Sequence, residues 1–332
     1  MTLNVHDVSG FGKPLTKLIE VASRGMGVLY EPRRIRRAAD AEAYRIRVIR
    51  AAQQEALPAP SGTSINLSVR SPASDSALQD DDAASLRERT KARVLRQELE
   101  GQFNIERIAD YAADSLPPEV SDSPVSDDWR RNFFRLAENV CADDLQMLWG
   151  KILAGEVASP GSFAMRTLEV LHGLSTEEAK IFERACGLAC TGGYIVRPAD
   201  DINTALASFG ISYGDLMKLR DSRLVMEGDT LGQLFKVPEI ERNVPLIIGT
   251  LNYNGLQLAL SVNPGVTQLN LPQIPFTTAG REIQRLVQNS PNMGYLSALA
   301  RFVESKGGKL RKARTVKRDG AMEIVTFDVE ID

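Results

Sequence analysis

The stretch LWGKILAGEVASPGSFAMRTLEVLHGLSTEE, residues Leu148 to Glu178, combines a tryptophan, two glycines, a Pro-Gly turn and a capped helix start. Around its beginning, apolar side chains recur with the spacing i, i+3, i+4, i+7 and i+8, which is typical of one face of an α-helix. The residues at these positions are Leu145, Leu148, Trp149, Ile152 and Leu153. We predict that this helix ends at Gly155, because glycine adopts the left-handed conformation without strain.

The rest of the stretch also contains residue patterns typical of turns, helices and helix caps. Ser159-Pro160-Gly161 predicts a turn, and residues 162–174 predict a helix. Ser175 with Glu178 three residues later is the pattern of a capping box that opens the next helix. No nucleophile lies beside a base in this stretch, so we interpret it as architecture rather than as a reaction site.

Working outward, residues 117–190 are expected to form a central four-helix block. Residues 1–56 predict an amphipathic segment followed by a basic helix, and residues 85–116 predict a second basic helix. The intervening residues 57–84 are rich in Pro, Ser, Ala and Asp and poor in large apolar residues, which indicates a disordered loop. The two basic helices would then form a helical hairpin.

The C-terminal part mixes helices and strands. Residues 191–308 predict a winged-helix-like α/β region, in which Ser212 caps a short helix and Asn254-Gly255 turns a hairpin. Residues 309–332 predict a C-terminal β-hairpin. The expected fold class is therefore α+β, mainly α, with a helical hairpin and four-helix block followed by the winged-helix-like region and a small antiparallel sheet.

Composition is that of an ordinary globular protein: 332 residues, 43% hydrophobic and 25% charged, with a net charge of −3. This charge gives no global attraction to nucleic acid or membranes. Three cysteines without a CxxC pair suggest a reducing compartment. Because there is neither a long apolar run nor a signal-peptide pattern, the expected location is the cytoplasm.

The sequence predicts no catalytic residue, no metal ligand set and no cofactor site. Its two histidines, His6 and His172, have no partner motif. The paired carboxylates stand at predicted helix starts, where negative charge favours the helix dipole, so capping is the preferred interpretation. These pairs are Asp127-Asp128, Asp143-Asp144, Glu177-Glu178 and Asp200-Asp201.

Three basic clusters remain, in residues 33–50, 87–96 and 306–318. The third predicts contacts to a partner or to phosphate, because it carries dense positive charge along a strand. Its candidate residues are Lys306, Lys309, Arg311, Lys312, Arg314, Lys317 and Arg318. A solvated surface or protein contact is favoured over nucleic acid, and the absence of interleaved aromatics argues against base stacking.

Two alternatives use other residues. A winged-helix regulator would contact nucleic acid through Lys218, Arg220 and Arg223. A membrane-acting effector would use the amphipathic segment, whose candidate residues are Leu15, Leu18 and Ile19. For this segment, docking onto the protein or self-association is preferred to membrane binding.

Three long segments resemble the bacterial family catalogued as domain of unknown function 2806. They are PLTKLIEVASRGMGVLYEPRRIRRAADAEAYRIR, DDLQMLWGKILAGEVASPGSFAMRTLEVLHGLSTEEAKIF and FTTAGREIQRLV, in that order. The resemblance covers most of the chain outside residues 57–84 and implies no activity. The middle helical block is also similar to abortive-infection alpha proteins of bacteria, which implies a role in defence against phage.

These observations predict a non-enzymatic binding, regulatory or scaffold protein, with phage defence as one setting. A protein partner or a second copy of the chain is the expected partner. Nucleic acid and a membrane surface remain alternatives, as set out above.

Overall fold

The computed structural model describes residues 12–28, 30, 75–237, 246–287, 289–318 and 321–326. For residues 75–83, 315–318 and 321–326 it describes the backbone only. The chain forms two compact units, Met1–Ser162 and Phe163–Asp332. The boundary falls inside the predicted central block of residues 117–190. The predicted α+β class is confirmed.

The first unit is helical in its described part. Its helices are α1 (Lys13–Met26), α2 (Asp75–Ser115), α3 (Asp127–Ala137) and α4 (Asp143–Ala158). The helix α2 begins ten residues before the predicted start, so residues 75–84 of the predicted disordered loop are helical. By sequence, Asp75 stands at the start of this helix, where an acidic residue favours the helix dipole, and composition alone does not reveal this. The rest of that loop, the predicted first basic helix with its cluster at residues 33–50, and His6 lie outside the described residues.

The close packing of α4 against α2 depends on Gly150. A Cβ atom at this position would lie 2.5 Å from Cβ of Tyr111 and 3.0 Å from the carbonyl oxygen of Ile108. The helix then continues through Gly155 to Ala158, so the predicted end at Gly155 is wrong. The backbone of Gly155 instead accepts a hydrogen bond from Ser159 N–H, and burial of the surrounding apolar face outweighs the low helix propensity of glycine.

An aromatic cluster forms the centre of the first unit. The ring of Phe133 lies 5.0 Å from that of Trp129 and 5.1 Å from that of Trp149, measured between centroids. Phe134 packs against Gly25 of α1. Within this cluster, Trp129 is 4% exposed and Trp149 is 0% exposed, so both tryptophans have a structural role.

The second unit combines helices with two antiparallel sheets. Its helices are α5 (Met165–His172), α6 (Thr176–Leu188), α7 (Tyr213–Asp221), α8 (Thr278–Gln284) and α9 (Met293–Ser305), with a 3-10 turn at Ala207–Phe209. Its strands are β1 (Tyr194–Val196), β2 (Gly232–Lys236), β3 (Leu246–Tyr253), β4 (Leu256–Val262), β5 (Gln268–Pro275), β6 (Gly308–Arg318) and β7 (Ala321–Thr326). The strand orders are β1-β5-β2 and β3-β4-β6-β7.

Local signals in this unit were predicted well. Ser175 and Glu178 form the expected capping box at α6, and Ser212 and Asp215 form another at α7. The β3–β4 hairpin turns at Asn254-Gly255, whose φ angles of 41° and 83° are those that this turn requires. These features depend on residues close in sequence, which is why the sequence could specify them.

Longer-range pairing was missed. The strand β5 is central in its sheet although it contains Pro272 and Pro275, and proline cannot donate a ladder hydrogen bond. The C-terminal hairpin β6–β7 pairs with β4, so the predicted boundary between residues 308 and 309 does not separate two domains. Val225, which follows α7, forms an isolated antiparallel bridge with Phe276.

Candidate functional site

The amphipathic segment of α1 is part of the core of the first unit. Leu18 is 0% exposed and Ile19 is 3% exposed, while Leu15 is half-buried. In the structure these side chains therefore dock α1 onto the other helices of the first unit, which is one of the two roles preferred for them. They do not form a surface that a membrane could contact. A membrane role would require α1 to leave the core, at a cost of burial on the order of 2 kcal/mol for each such side chain.

The three basic residues predicted for a winged-helix contact have different surroundings. The ammonium group of Lys218 lies 2.6 Å from Glu177, and this hydrogen bond raises the pKa of Lys218. The guanidinium of Arg220 lies 2.5 Å from Asp229, and its side chain is only 9% exposed. Arg223 is exposed, but its φ of 58° places it at a turn after α7. Among these three, only Arg223 offers an exposed guanidinium.

A buried arginine next to this helix was not found from the sequence. The guanidinium of Arg197, which is 4% exposed, donates to the backbone carbonyls of Asp200 and Asp229. Desolvation lowers its pKa, while the carboxylates of Asp229, Asp200 and Asp201 oppose that shift. Arg197 thus links two loops through hydrogen bonds, and no local sequence pattern predicts this role.

The basic strand, defined here as β6 with the preceding Lys306, contains all seven residues predicted to contact a partner or phosphate. Glu323 is the only acidic residue in the sequences of β6 and β7. Lys309, Arg311 and Arg314 are exposed, and Lys312 is half-buried. Side chains alternate between the two faces of a strand, so Lys309 and Arg311 share one face by position. Lys312 and Arg314 share the other.

The far half of the basic strand extends beyond the neighbouring strand β4. Pairing between β4 and β6 ends at Gln257 opposite Ala313. From there, β6 continues to Arg318 and pairs with β7, ending with Arg318 opposite Ala321. This two-stranded ribbon carries Arg314, Lys317 and Arg318. In the described part of the chain, three of the seven candidate residues therefore lie on a protruding ribbon.

The side chain of Lys306 is engaged by residues of its own unit. Its ammonium group donates to Asp200 at 2.6 Å and lies 5.2 Å from the ring centroid of Phe302. Both interactions hold this side chain against its own unit. Lys306 consequently contributes less to a surface for a partner than its position in the sequence suggested.

The groups that were weighed for catalysis are spread over separate elements. Asp127-Asp128, Asp143-Asp144 and Glu177-Glu178 all lie in the first turns of helices, as predicted. Asp201 instead closes a turn by accepting from Asn203 and Thr204, and these hydrogen bonds lower its pKa. His172 is exposed in the last turn of α5.

A polar groove opens in the first unit between α1, α2 and α3, with a volume of about 730 Å³. Its charged lining residues are Glu98, Glu100, Arg131, Arg135 and Glu138. Because the two signs are mixed, the groove does not favour one class of charged ligand. The exposed thiol of Cys141 lies at its edge.

Within the described ranges of the chain, no group of three or more His, Cys, Asp or Glu side chains is arranged to hold a metal ion. None of the described helices combines the length and the apolar character that crossing a bilayer requires.

By its fold, the chain is an α+β protein of two compact units, and its best-defined candidate site is a basic strand. The model of a family described as "Protein of unknown function (DUF2806)" matches residues 88–300. This range is more than half of the chain, so the chain belongs to that family. Comparison with curated proteins and with solved structures gave no significant match. The basic strand begins after the matched range ends.

Proposed function

We propose that this chain is a non-enzymatic binding protein, a regulatory or scaffold component, that recognises an acidic protein partner through the basic strand. The observation that carries the proposal is the continuation of β6 and β7 past the last residue pair of β4, with Arg314 exposed and with Lys317 and Arg318 in the sequence of this ribbon. An isolated two-stranded ribbon is only marginally stable in water, so contact with a partner would stabilise it.

The placement of charge suits an extended acidic surface. Lys309 and Arg311 form an exposed row on one face of the part of β6 that pairs with β4, and Arg314 is exposed on the other face, where β6 passes the end of β4. Successive residues of a strand advance by about 3.3 Å, so these positions span a distance comparable to a short acidic segment. A single small anion would contact only part of this row.

We expect the binding free energy to come from long-range electrostatic attraction rather than from a few buried contacts. Each exposed ion pair contributes about 0.2–1 kcal/mol and is screened by salt. A row of like charges also raises the association rate with an oppositely charged partner. Binding should therefore weaken as salt rises from about 50 to 500 mM, the range over which screening increases strongly.

The test compares two triple variants in purification from the native host. One variant changes Lys309, Lys312 and Lys317 to Gln in the basic strand. Its matched control changes Arg166, Lys180 and Arg301 to Gln, which are exposed basic residues of the same unit. The proposal expects the first variant alone to lose a defined acidic partner, whose binding to the purified wild-type chain is then measured by titration against salt. Equal recovery with both variants would refute it.

A second candidate, a nucleic-acid-binding winged-helix regulator, is favoured by element order. The order α6, β1, 3-10 turn, α7, β2 and β5, with β5 between β1 and β2, is typical of winged-helix domains. The hairpin β3–β4 then occupies the position of an enlarged wing. The ion pairs of Lys218 and Arg220 weaken this candidate, because they leave little charge on α7 for phosphates.

A salt titration separates the two candidates. Fluorescence anisotropy with a labelled DNA duplex should show a steep decrease of affinity with salt if several phosphates are bound, with a log–log slope of about −0.9 per contact. Arg223→Gln should lower affinity only if α7 faces the duplex. Binding that survives nuclease treatment of the purified complex favours the protein partner.

A role in phage defence stays a proposal that rests on the faint resemblance of the middle helical block. It predicts that expression of the chain lowers the plating efficiency of some phages on a sensitive host. Unchanged plaque counts across a diverse phage panel would remove this setting without affecting the binding proposal.

A further inference from the structure

The long helix α2 has a packed half and an exposed half. From Gly101 to Ala112 it contributes buried side chains to the first unit, including Ile105 and Ile108. From Ala84 to Glu98, every residue apart from Ala92 is exposed. Three large apolar residues lie in this exposed half: Leu86 at 58%, Val94 at 45% and Leu95 at 43% exposure.

Two of these apolar residues continue the line of the core. At about 100° per residue, Leu86 and Val94 fall within an arc of about 100° that also contains Ile105, Ile108 and Ala112. The face that α2 buries against α4 is therefore prolonged into solvent. Leu95 lies about half a turn from Leu86 and is not part of this line. We define Leu86, Thr90 and Val94 as the α2 stripe.

Positive charge flanks the α2 stripe on both sides. Arg87 borders it on one side and Arg93 on the other, and both are exposed. Farther from the stripe, Lys91 pairs with Glu88 at 2.9 Å and Arg96 pairs with Glu100 at 2.9 Å. The border of the stripe thus carries two arginines whose charge suits carboxylates.

We propose that the α2 stripe docks an acidic amphipathic helix of a partner protein. Apolar side chains of that helix would cover Leu86 and Val94, while its flanking carboxylates would meet Arg87 and Arg93. Helix-in-groove recognition uses anchors at helical spacing, which is the spacing present here. A second copy of this helix fits less well, because the segment from Arg87 to Arg96 is strongly basic and would repel itself.

This surface is distinct from the basic strand and lies in the other unit, so the proposal does not depend on the one above. Its test uses the full chain and three labelled peptides. The first is a synthetic helical peptide with leucines at i, i+3, i+4 and i+7 and glutamates at the flanks. The second is its scrambled version. The third is a basic peptide with the sequence of residues 31–56 of this chain.

The structure supplies a matched pair of variants. Leu86→Ala with Val94→Ala removes the stripe, whereas Leu95→Ala removes a side chain of similar exposure on the opposite face. Alanine is the best helix former, so circular dichroism should show the helix intact in both. The acidic peptide should bind about tenfold more weakly to the double variant, and within about twofold of wild type to Leu95→Ala. Arg87→Gln with Arg93→Gln should weaken binding and flatten its dependence on salt.

Three results would overturn the proposal. In the first, the acidic and scrambled peptides bind equally, or neither binds. In the second, Leu95→Ala loses as much affinity as the double variant. In the third, the basic peptide of residues 31–56 binds in place of the acidic one, or sedimentation shows a dimer that only the double variant disrupts. Binding of the basic peptide would assign the stripe to residues 31–56 of the chain itself, and such a dimer would assign it to a second copy.

Discussion

Gly150 of α4 and Tyr111 of α2 meet where neither helix has room for another carbon atom. A Cβ built on Gly150 would lie 2.5 Å from Cβ of Tyr111. A side chain at this position would force the two helices apart, together with the buried residues around them. The proximity of these two residues sets how closely the helices of the first unit can pack.

The first prediction concerns this contact. Gly150→Ala should destabilise the first unit by about 1–3 kcal/mol, the usual cost of overpacking a core. The measurement is the midpoint of urea unfolding, followed by circular dichroism for both variants and also by the fluorescence of the adjacent Trp149 for Gly150→Ala. Gly214→Ala in α7 is the control, because its Cβ would meet only Ser212 Oγ at 3.7 Å. That control should be neutral or gain up to about 1 kcal/mol, and equal losses in both variants would contradict the argument.

The second prediction concerns Glu282, which caps α5 from a distant part of the sequence. Its Oε2 atom accepts hydrogen bonds from Ala164 N–H at 2.9 Å and from the hydroxyl of Thr167 at 2.5 Å. Glu282→Ala should cost about 1–2 kcal/mol of stability, because the helix start and a buried hydroxyl lose their acceptor. Glu169→Ala, at an exposed site on α5, should change stability much less. A thermal unfolding series of both variants checks this expectation.

The third prediction is a pH dependence that arises at Asp215. Hydrogen bonding from Ser212 N–H is the main cause of the lowered pKa of this carboxyl. A carboxyl with a lowered folded-state pKa stabilises the fold above its ordinary pKa of 3.8, and that stabilisation is lost as pH falls through the lowered value. Asp215→Asn should therefore be less stable than wild type at pH 7, and the difference should shrink in acid. Urea unfolding of wild type and variant at a series of pH values measures this difference, and a difference that stays constant into acid would contradict the expectation.

The fourth prediction separates the three cysteines by their reactivity. Cys186 and Cys190 are buried, and burial raises the pKa of both thiols, that of Cys190 to about 12. Only thiolates react rapidly, so a thiol reagent at neutral pH should label the exposed Cys141 first. Mass spectrometry of the native protein should find one label, and Cys141→Ser should abolish it. Two or more rapid labels would contradict the described burial.

The sequence predicted those parts of the fold that depend on near neighbours. The capping boxes at Ser175 and Ser212 and the turn at Asn254-Gly255 were read correctly, because each depends on a few adjacent residues. Helix ends were less accurate. Gly155 was expected to end α4, yet tertiary packing carries the helix three residues farther.

Pairing between distant strands was beyond the reach of the sequence. Proline is unusual in a central strand. In β5, Pro272 lies opposite Gly232, where a Cβ atom on residue 232 would come within 3.2 Å of Cα of Pro272. Nothing in the sequence stated that β4 would pair with β6 rather than end the sheet. The protruding ribbon follows only from that register.

For the candidate site, the sequence located the charges but not their neighbours. It singled out Lys218 and Arg220 with no means of knowing that Glu177 and Asp229 neutralise them. It likewise could not separate Lys306, which Asp200 holds, from Lys309, which is exposed. Leu18 and Ile19 show the same limit, since an amphipathic helix has one apolar face whether a membrane or a core covers it.

The register of β1 also bears on how the protein is made. Tyr194 of β1 pairs with Pro275 of β5, about 80 residues later in the chain, and the strands β3 and β4 between them in sequence belong to the other sheet. A ribosome must therefore release the chain through β5 before β1 has its strand partner, and through β6 before β4, already paired with β3, has its second one. The helical first unit faces no such delay. During translation, the second unit would thus expose apolar strand edges for longer and would be the part on which chaperones act.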